Sequence, residues 1–80
     1  MGLAKSETEI GERASRFLKA ELKRANVTYE ELAKRLKKHG LPNETKDSIK
    51  AKLMRGTFAA TFMLAAIAAL EMDGVKLEDL

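Results

Sequence analysis

The sequence predicts an all-α fold, a compact bundle of four to five short helices, and two observations support this prediction. Apolar residues recur at steps of three and four along the chain, and no useful length alternates apolar and polar residues as a strand does. Eighty residues with one proline and no cysteine leave room for one small domain without disulfides. We expect a flexible tail over residues 1–11 and a single domain over residues 12–80.

The first predicted helix begins near Glu12, where apolar residues start to share one helical face. Asn26 is expected to end this helix, because asparagine tolerates the left-handed backbone conformation. The apolar face is formed by Ala14, Phe17, Leu18, Leu22 and Ala25.

The second helix has the clearest start in the sequence, because Thr28 and Glu31 have the spacing of a capping box. We expect it to run from Tyr29 to Lys38 and to be closed by Gly40. A connection over residues 39–44 leads to the third helix, which Thr45 or Asn43 caps and Gly56 ends. Ile49 and Leu53 are its predicted buried pair.

Thr57 is the predicted cap of a fourth helix from Phe58 to Glu71, which ends near Gly74. A final apolar turn follows over residues 75–80. The fourth helix is apolar nearly all round, whereas a surface helix is apolar along one stripe. Either it is the central core helix or another subunit covers its second face. Its apolar run is too short to span a bilayer, which takes roughly 20 residues.

The net charge of +3 is unevenly distributed along the chain. Residues 34–56 hold eight basic and two acidic residues, a net charge of +6, whereas residues 1–33 are neutral and residues 57–80 carry −3. A concentrated basic segment predicts a polyanionic partner, and the alternative interpretation is an ordinary solvated helix face.

The composition argues against several function classes. Without cysteine, thiolate chemistry and iron–sulfur clusters are excluded, and the single histidine, His39, makes a zinc site improbable. No carboxylate pair, nucleophile–base set or phosphate-binding glycine loop can be assembled from the sequence. We therefore expect no enzyme activity, no metal or other cofactor, no small-molecule ligand and no membrane association. The expected location is the cytoplasm.

Several segments together resemble a known family. Residues 27–36 (VTYEELAKRL) resemble the second helix of Cro/lambda-repressor-type, Xre-like helix-turn-helix domains. Residues 48–49 with 53–56 resemble the recognition helix and its Arg-Gly ending, and residues 66–80 are similar to the fourth and fifth helices. The resemblance covers about residues 14–80 and includes a subset of short uncharacterised bacterial domains with a long connection between helices two and three.

Three features depart from the common pattern of this family. The connection over residues 37–44 is several residues longer than the usual tight turn. Tyr29 replaces the usual glutamine at the start of helix two, and Met54 replaces the acidic residue before Arg-Gly. These departures leave the fold expectation intact but affect how the third helix would dock on DNA.

The resemblance implies a sequence-specific, double-stranded-DNA-binding transcriptional regulator that reads the major groove with helix 45–55. Ala51 lies on the helix face opposite the buried pair, where we expect it to meet a thymine methyl group, and Ser48 and Lys50 on the two shoulders of that face are expected to contact base edges. Asp47 either accepts from a cytosine amine or favours the helix N-terminus. The residues expected to reach phosphates or to follow the backbone are Lys46, Lys52, Arg55, Lys37, Lys38 and Tyr29, the last with a core-edge position as its alternative.

A homodimer is expected, because two half-sites double the contacts of a small DNA reader. Its predicted interface is Phe58, Phe62, Leu64, Ile67, Leu77 and Leu80. Two other functions stay open. One is a protein-interaction module, antitoxin-like or regulator-binding, that uses helix 58–71. The other is a non-specific nucleic-acid-binding accessory protein, which includes RNA binding.

Overall fold

The computed structural model describes residues 2–80, and this part of the chain contains four α-helices, two 3-10 turns and no strand. The all-α prediction is confirmed. The helices are α1 (Glu7–Arg24), α2 (Tyr29–Leu36), α3 (Lys46–Arg55) and α4 (Ala60–Ala69). The 3-10 turns are Lys37–His39 and Leu77–Asp79.

A single apolar core lies between the four helices, and α2 contacts both α3 and α4. Ile49 and Leu53, the predicted buried pair of α3, are both buried. The C-terminal residues Val75 and Leu80 pack against the edge of this core. The buried apolar residues are Phe17, Leu18, Leu22, Val27, Leu32, Ala33, Leu36, Ile49, Leu53, Phe62, Ala65, Ala66 and Ala69.

The first helix begins at Glu7, five residues before the predicted start at Glu12. The Ser6 hydroxyl caps it by accepting a hydrogen bond from the amide of Glu9 at 3.1 Å. The prediction of a flexible tail over residues 1–11 is therefore wrong for residues 7–11, and Met1 lies outside the described residues. The S-x-x-E spacing of Ser6 and Glu9 is the signal that marks this start.

The three residues predicted to close helices have left-handed backbones, although α2 itself ends at Leu36, two residues before the predicted end at Lys38. Asn26 follows α1 with φ 58°, Gly40 closes the 3-10 turn after α2 with φ 89°, and Gly56 ends α3 with φ 74°. After α1, the amide of Val27 donates to the carbonyl of Leu22 at 2.9 Å, which completes the capping motif.

The fourth helix is shorter than predicted at both ends. It begins at Ala60, and Thr57 does not cap it. Instead, the Thr57 hydroxyl accepts from Nε of Arg55 at 2.8 Å and its carbonyl accepts from the guanidinium at 3.2 Å. At the other end the helix stops at Ala69, because Glu71 turns left-handed with φ 59°.

No single helix in residues 2–80 is long and apolar enough to cross a membrane. Only α3 and α4 taken together reach that length and hydropathy, and the chain bends by 120° between them.

The backbone of α1 meets the end of α3 in a close contact between two glycines. A Cβ atom at Gly11 would overlap the carbonyl oxygen of Gly56 and would lie 3.1 Å from its carbonyl carbon. Conversely, a Cβ atom at Gly56 would lie 3.4 Å from the carbonyl carbon of Gly11. Only a residue without a side chain allows α1 to approach α3 this closely.

Gly11→Ala is expected to destabilise the domain by about 1–3 kcal/mol, because α1 and α3 must move apart to admit the methyl group. The sign of this stability change is informative, because alanine in a helix interior otherwise stabilises a protein by about 1 kcal/mol relative to glycine. Urea unfolding followed by circular dichroism measures the effect. The matched control is Gly74→Ala, where no atom lies within 4 Å of the added Cβ. An equal or higher stability of Gly11→Ala would contradict the close contact.

Candidate nucleic-acid interface

The start of α3 is held by two reciprocal hydrogen bonds. The amide of Ser48 donates to the hydroxyl of Thr45 at 3.1 Å, and the amide of Thr45 donates to the hydroxyl of Ser48 at 2.8 Å. This capping box confirms Thr45, rather than Asn43, as the cap of the third helix. With Ile49 and Leu53 turned into the core, the remaining faces of α3 point away from α2.

The outward face of α3 is rich in cationic and apolar side chains. Its exposed residues combine three cations, one carboxylate and two apolar groups. Met54 is the most prominent of them, since 71% of its surface is accessible to solvent. Apart from Arg55, which hydrogen-bonds Thr57, these side chains make no hydrogen bond within residues 2–80. The outward face comprises Lys46, Asp47, Lys50, Ala51, Met54 and Arg55.

Ser48, predicted to contact a base edge, is occupied by contacts within the protein. Its hydroxyl donates to the carboxylate of Glu44 at 2.7 Å while it accepts the Thr45 amide. The side chain is half-buried at the start of the helix. Ser48 as a base contact stays a prediction, and in the free protein its hydroxyl is engaged by the capping box and Glu44.

Lys52, predicted to reach a phosphate, is turned towards the protein instead. Its ammonium group lies 3.1 Å from the carboxylate of Glu44, and the two side chains are 25% and 15% exposed. The same nitrogen lies 5.6 Å from the centre of the Phe62 ring, a distance at which the ring face attracts a cation. Lys52 therefore belongs to the support of α3 and not to its outward face.

Glu44 is the functional-site residue that the sequence analysis missed. It ends the long connection and binds two side chains of α3, those of Ser48 and Lys52. These three residues are spaced four apart, which places them along one side of a helical path and is the signal that identifies the cluster. The carboxylate couples the connection to α3, so the two parts are expected to keep a fixed geometry.

The remaining predicted contacts lie outside α3, in the 3-10 turn after α2 and at the start of α2. Lys37 and Lys38 are exposed in the 3-10 turn that begins the connection. Tyr29 is half-buried and packs against the core, which agrees with its core-edge alternative. At the start of α2, the hydroxyl of Thr28 accepts the amide of Glu31 at 3.1 Å, as predicted. The Glu31 carboxylate does not complete the capping box, because it accepts from Arg35 at 3.1 Å.

The predicted dimer interface is divided between core and surface. Phe62 is 2% exposed and belongs to the core, so its assignment to an interface is corrected. Phe58 packs against it with ring centres 5.3 Å apart and, like Ile67 and Leu80, is half-buried. Leu64 and Leu77 are exposed, at 67% and 68%.

Comparison with known protein families gives one match. Residues 11–75 of the 80 match the family described as Domain of unknown function (DUF6471). The chain belongs to this family. The matched region begins at Gly11, the glycine that contacts Gly56, and includes the connection, Glu44 and all of α2, α3 and α4. No curated protein and no solved structure matches the chain.

Glu44→Gln is expected to lower the free energy of unfolding by about 1 kcal/mol, because it leaves the partly buried Lys52 without its counter-charge. The loss should shrink at high salt, which screens the ion pair in the wild-type protein. Urea unfolding at two salt concentrations measures both effects. Glu31→Gln is the matched control, since its pair with Arg35 is 46% and 39% exposed, and it should cost only about 0.3–0.5 kcal/mol. Equal losses for the two variants would contradict a supporting role for Glu44.

Proposed function

We propose that this protein is a sequence-specific, duplex-DNA-binding transcriptional regulator that reads the major groove with the outward face of α3. The observation that carries the proposal is the difference between the buried inner face of α3 and its exposed, cationic outward face. Its inner face is buried in the core, its start is capped, and its outward face presents Lys46, Lys50 and Arg55 with no internal ion pair in residues 2–80. The cations of such a face can contact DNA phosphates, and its apolar side chains can contact thymine methyl groups in the major groove.

The contacts expected of each residue follow from its position on α3. Ala51 lies opposite the buried pair Ile49 and Leu53, where it would approach a thymine methyl group, and Lys50 lies on the shoulder of the outward face, where it would donate to a base edge. Lys46 and Arg55 lie at the two ends and would reach phosphates. Asp47 either accepts from a cytosine amine or serves only the helix N-terminus.

Two further arguments support this proposal. Outside α3, the exposed Lys37 and Lys38 extend the basic surface along the long connection, which suits a backbone that passes beside the groove. The order of motifs over residues 27–36 and 48–56 also resembles Cro/lambda-repressor-type, Xre-like helix-turn-helix domains, in which the second of the paired helices enters the groove. On this proposal the protein acts at the bacterial nucleoid in the cytoplasm.

The proposal predicts tight, salt-dependent binding to duplexes selected from a random DNA pool. Lys50→Gln is expected to weaken binding to the selected site by roughly tenfold and to reduce the preference at one base position, since a good base contact is worth about 1–3 kcal/mol. Fluorescence anisotropy over a salt series measures affinity and preference. Lys76→Gln, in the acidic C-terminal segment, is the control of equal charge change. Absence of duplex binding at about 50 mM salt, where phosphate contacts are strong, would contradict DNA binding and favour a protein-interaction module.

A second part of the proposal is a homodimer through α4. The exposed Leu64, together with the half-buried Ile67 and Met63, forms an apolar surface on a helix that contains no charged residue. A second copy of the chain that covers this surface would place two copies of α3 on neighbouring half-sites. The same surface supports the alternative function, in which a different protein binds α4.

Leu64→Glu is expected to convert the dimer to a monomer, because burying an unpaired carboxylate in an apolar interface is costly. Light scattering coupled to size-exclusion chromatography at high micromolar concentration measures the mass. Met54→Glu is the control, since it places the same charge on an equally exposed apolar residue outside α4. A monomeric mass for the wild-type protein would contradict the dimer, and a dimeric mass for Leu64→Glu would contradict this interface.

A further inference from the structure

A cleft of about 420 Å³ separates the first half of α1 from the C-terminal end of α3. Arg16 and Lys19 of α1 line one side, and Met54 and Arg55 of α3 line the other. The cleft lies beside the contact between Gly11 and Gly56, so the same close approach that joins the two helices forms its walls.

The cleft carries an excess of positive charge that the chain itself does not neutralise. Arg16, Lys19 and Arg55 are exposed, and none of them forms an ion pair within residues 2–80. One carboxylate, that of exposed Glu12, also lines the cleft, so cations outnumber it three to one. Three cations that line one concave site favour a compact anion with several oxygen atoms.

A buried hydroxyl group beside the cleft gives an independent indication of a ligand. Ser15 lines the cleft and is only 4% exposed, and its Oγ has no hydrogen-bond partner among residues 2–80. Buried polar groups are almost always paired, and an unpaired one is expected where a water, an ion or a ligand completes the site. An oxygen-rich ligand would provide the acceptor that the protein does not.

The cleft continues the outward face of α3, since Met54 and Arg55 belong to both. If the major groove of a duplex lies against Lys50 and Ala51, the sugar–phosphate backbone of one strand would therefore lie near α1. The net charge of zero over residues 1–33 does not reveal this surface, because six acidic residues in that segment balance its six cations.

We propose that this cleft binds a phosphate group, with Arg16 and Lys19 of α1 and Arg55 of α3 as the contacting cations. The proposal rests on the proposed function for the identity of the ligand, a backbone phosphate of the duplex that α3 reads. Inorganic phosphate offers the same chemistry, and the experiment distinguishes the two sources. The interface then includes α1, which supplies affinity without sequence preference.

The double variant Arg16→Gln/Lys19→Gln tests the proposal by the salt dependence of duplex binding. Each phosphate contact contributes about 0.9 to the slope of log affinity against log salt, so the variant should lose roughly 1.8 of that slope. Its affinity in 0.1 M salt should fall by roughly tenfold for each contact, with the base preference unchanged. The control is the pair Lys23→Gln/Lys5→Gln, which removes the same charge from exposed lysines that do not line the cleft.

The second experiment is a titration with inorganic phosphate at constant ionic strength, followed by the NMR chemical shifts of the backbone amides. Shifts confined to the amides of Gly56, Thr57 and Ser15 in wild-type protein, and lost in the double variant, support a phosphate site. If phosphate causes these shifts but the double variant binds duplex as tightly as the wild-type protein, the site binds free phosphate and not the DNA backbone. Equal salt slopes for the two double variants, together with no such shifts, would overturn the proposal.

These results can be separated from the fate of the proposed function. If the wild-type protein binds no duplex, DNA binding fails, and the phosphate titration alone decides whether the cleft is an anion site. If the wild-type protein binds duplex, the two double variants have equal salt slopes and phosphate causes no such shifts, DNA binding stands and the cleft proposal fails. Circular dichroism melting verifies that each variant is folded.

Discussion

The orientation of α3 depends on the backbone contact between Gly11 and Gly56. Because neither residue has a Cβ atom, the end of α3 lies directly on the first half of α1. The left-handed conformation of Gly56 ends the helix at the same point, with φ 74°, so one residue serves both termination and packing. The cleft on α1, the outward face of α3 and the bend of 120° into α4 all lie next to this contact.

The other end of α3 is held by polar contacts instead of close packing. Glu44 reaches from the connection to Ser48 and Lys52, and Thr45 caps the helix. The cost of desolvating a partly buried carboxylate is offset only when its oxygens are well paired, and those of Glu44 are paired with Ser48 and Lys52. The connection between α2 and α3 is long, but its position relative to α3 is fixed, because its last residue, Glu44, binds side chains of that helix. Ser48 and Lys52 are withdrawn from the surface for the same reason.

Local chemistry determined how much the sequence could predict. Thr45, Asn26, Gly40 and Gly56 mark helix ends through bonds to nearby backbone groups, and each end was predicted within a few residues. The start of α1 lies earlier than apolar periodicity indicates, because Ser6 caps the helix several residues before the predicted apolar face begins. The spacing of Glu44, Ser48 and Lys52 is a local signal for their cluster, whereas the position of Arg16 and Arg55 along one cleft depends on how separate helices pack and was not predictable. The burial of Phe62 follows from packing in the same way.

Support at both ends of α3 separates the residues that hold the helix in place from those that face solvent. Gly56, Glu44 and the buried pair Ile49 and Leu53 hold the helix, whereas Lys50, Ala51 and Met54 project outward without packing into the core. Surface positions of this kind change stability by only about 0.5 kcal/mol when they are substituted. A chain of 80 residues has little stability to lose, so this arrangement matters more here than in a large domain. Substitutions on the outward face can alter what the helix contacts while the rest of the chain still folds.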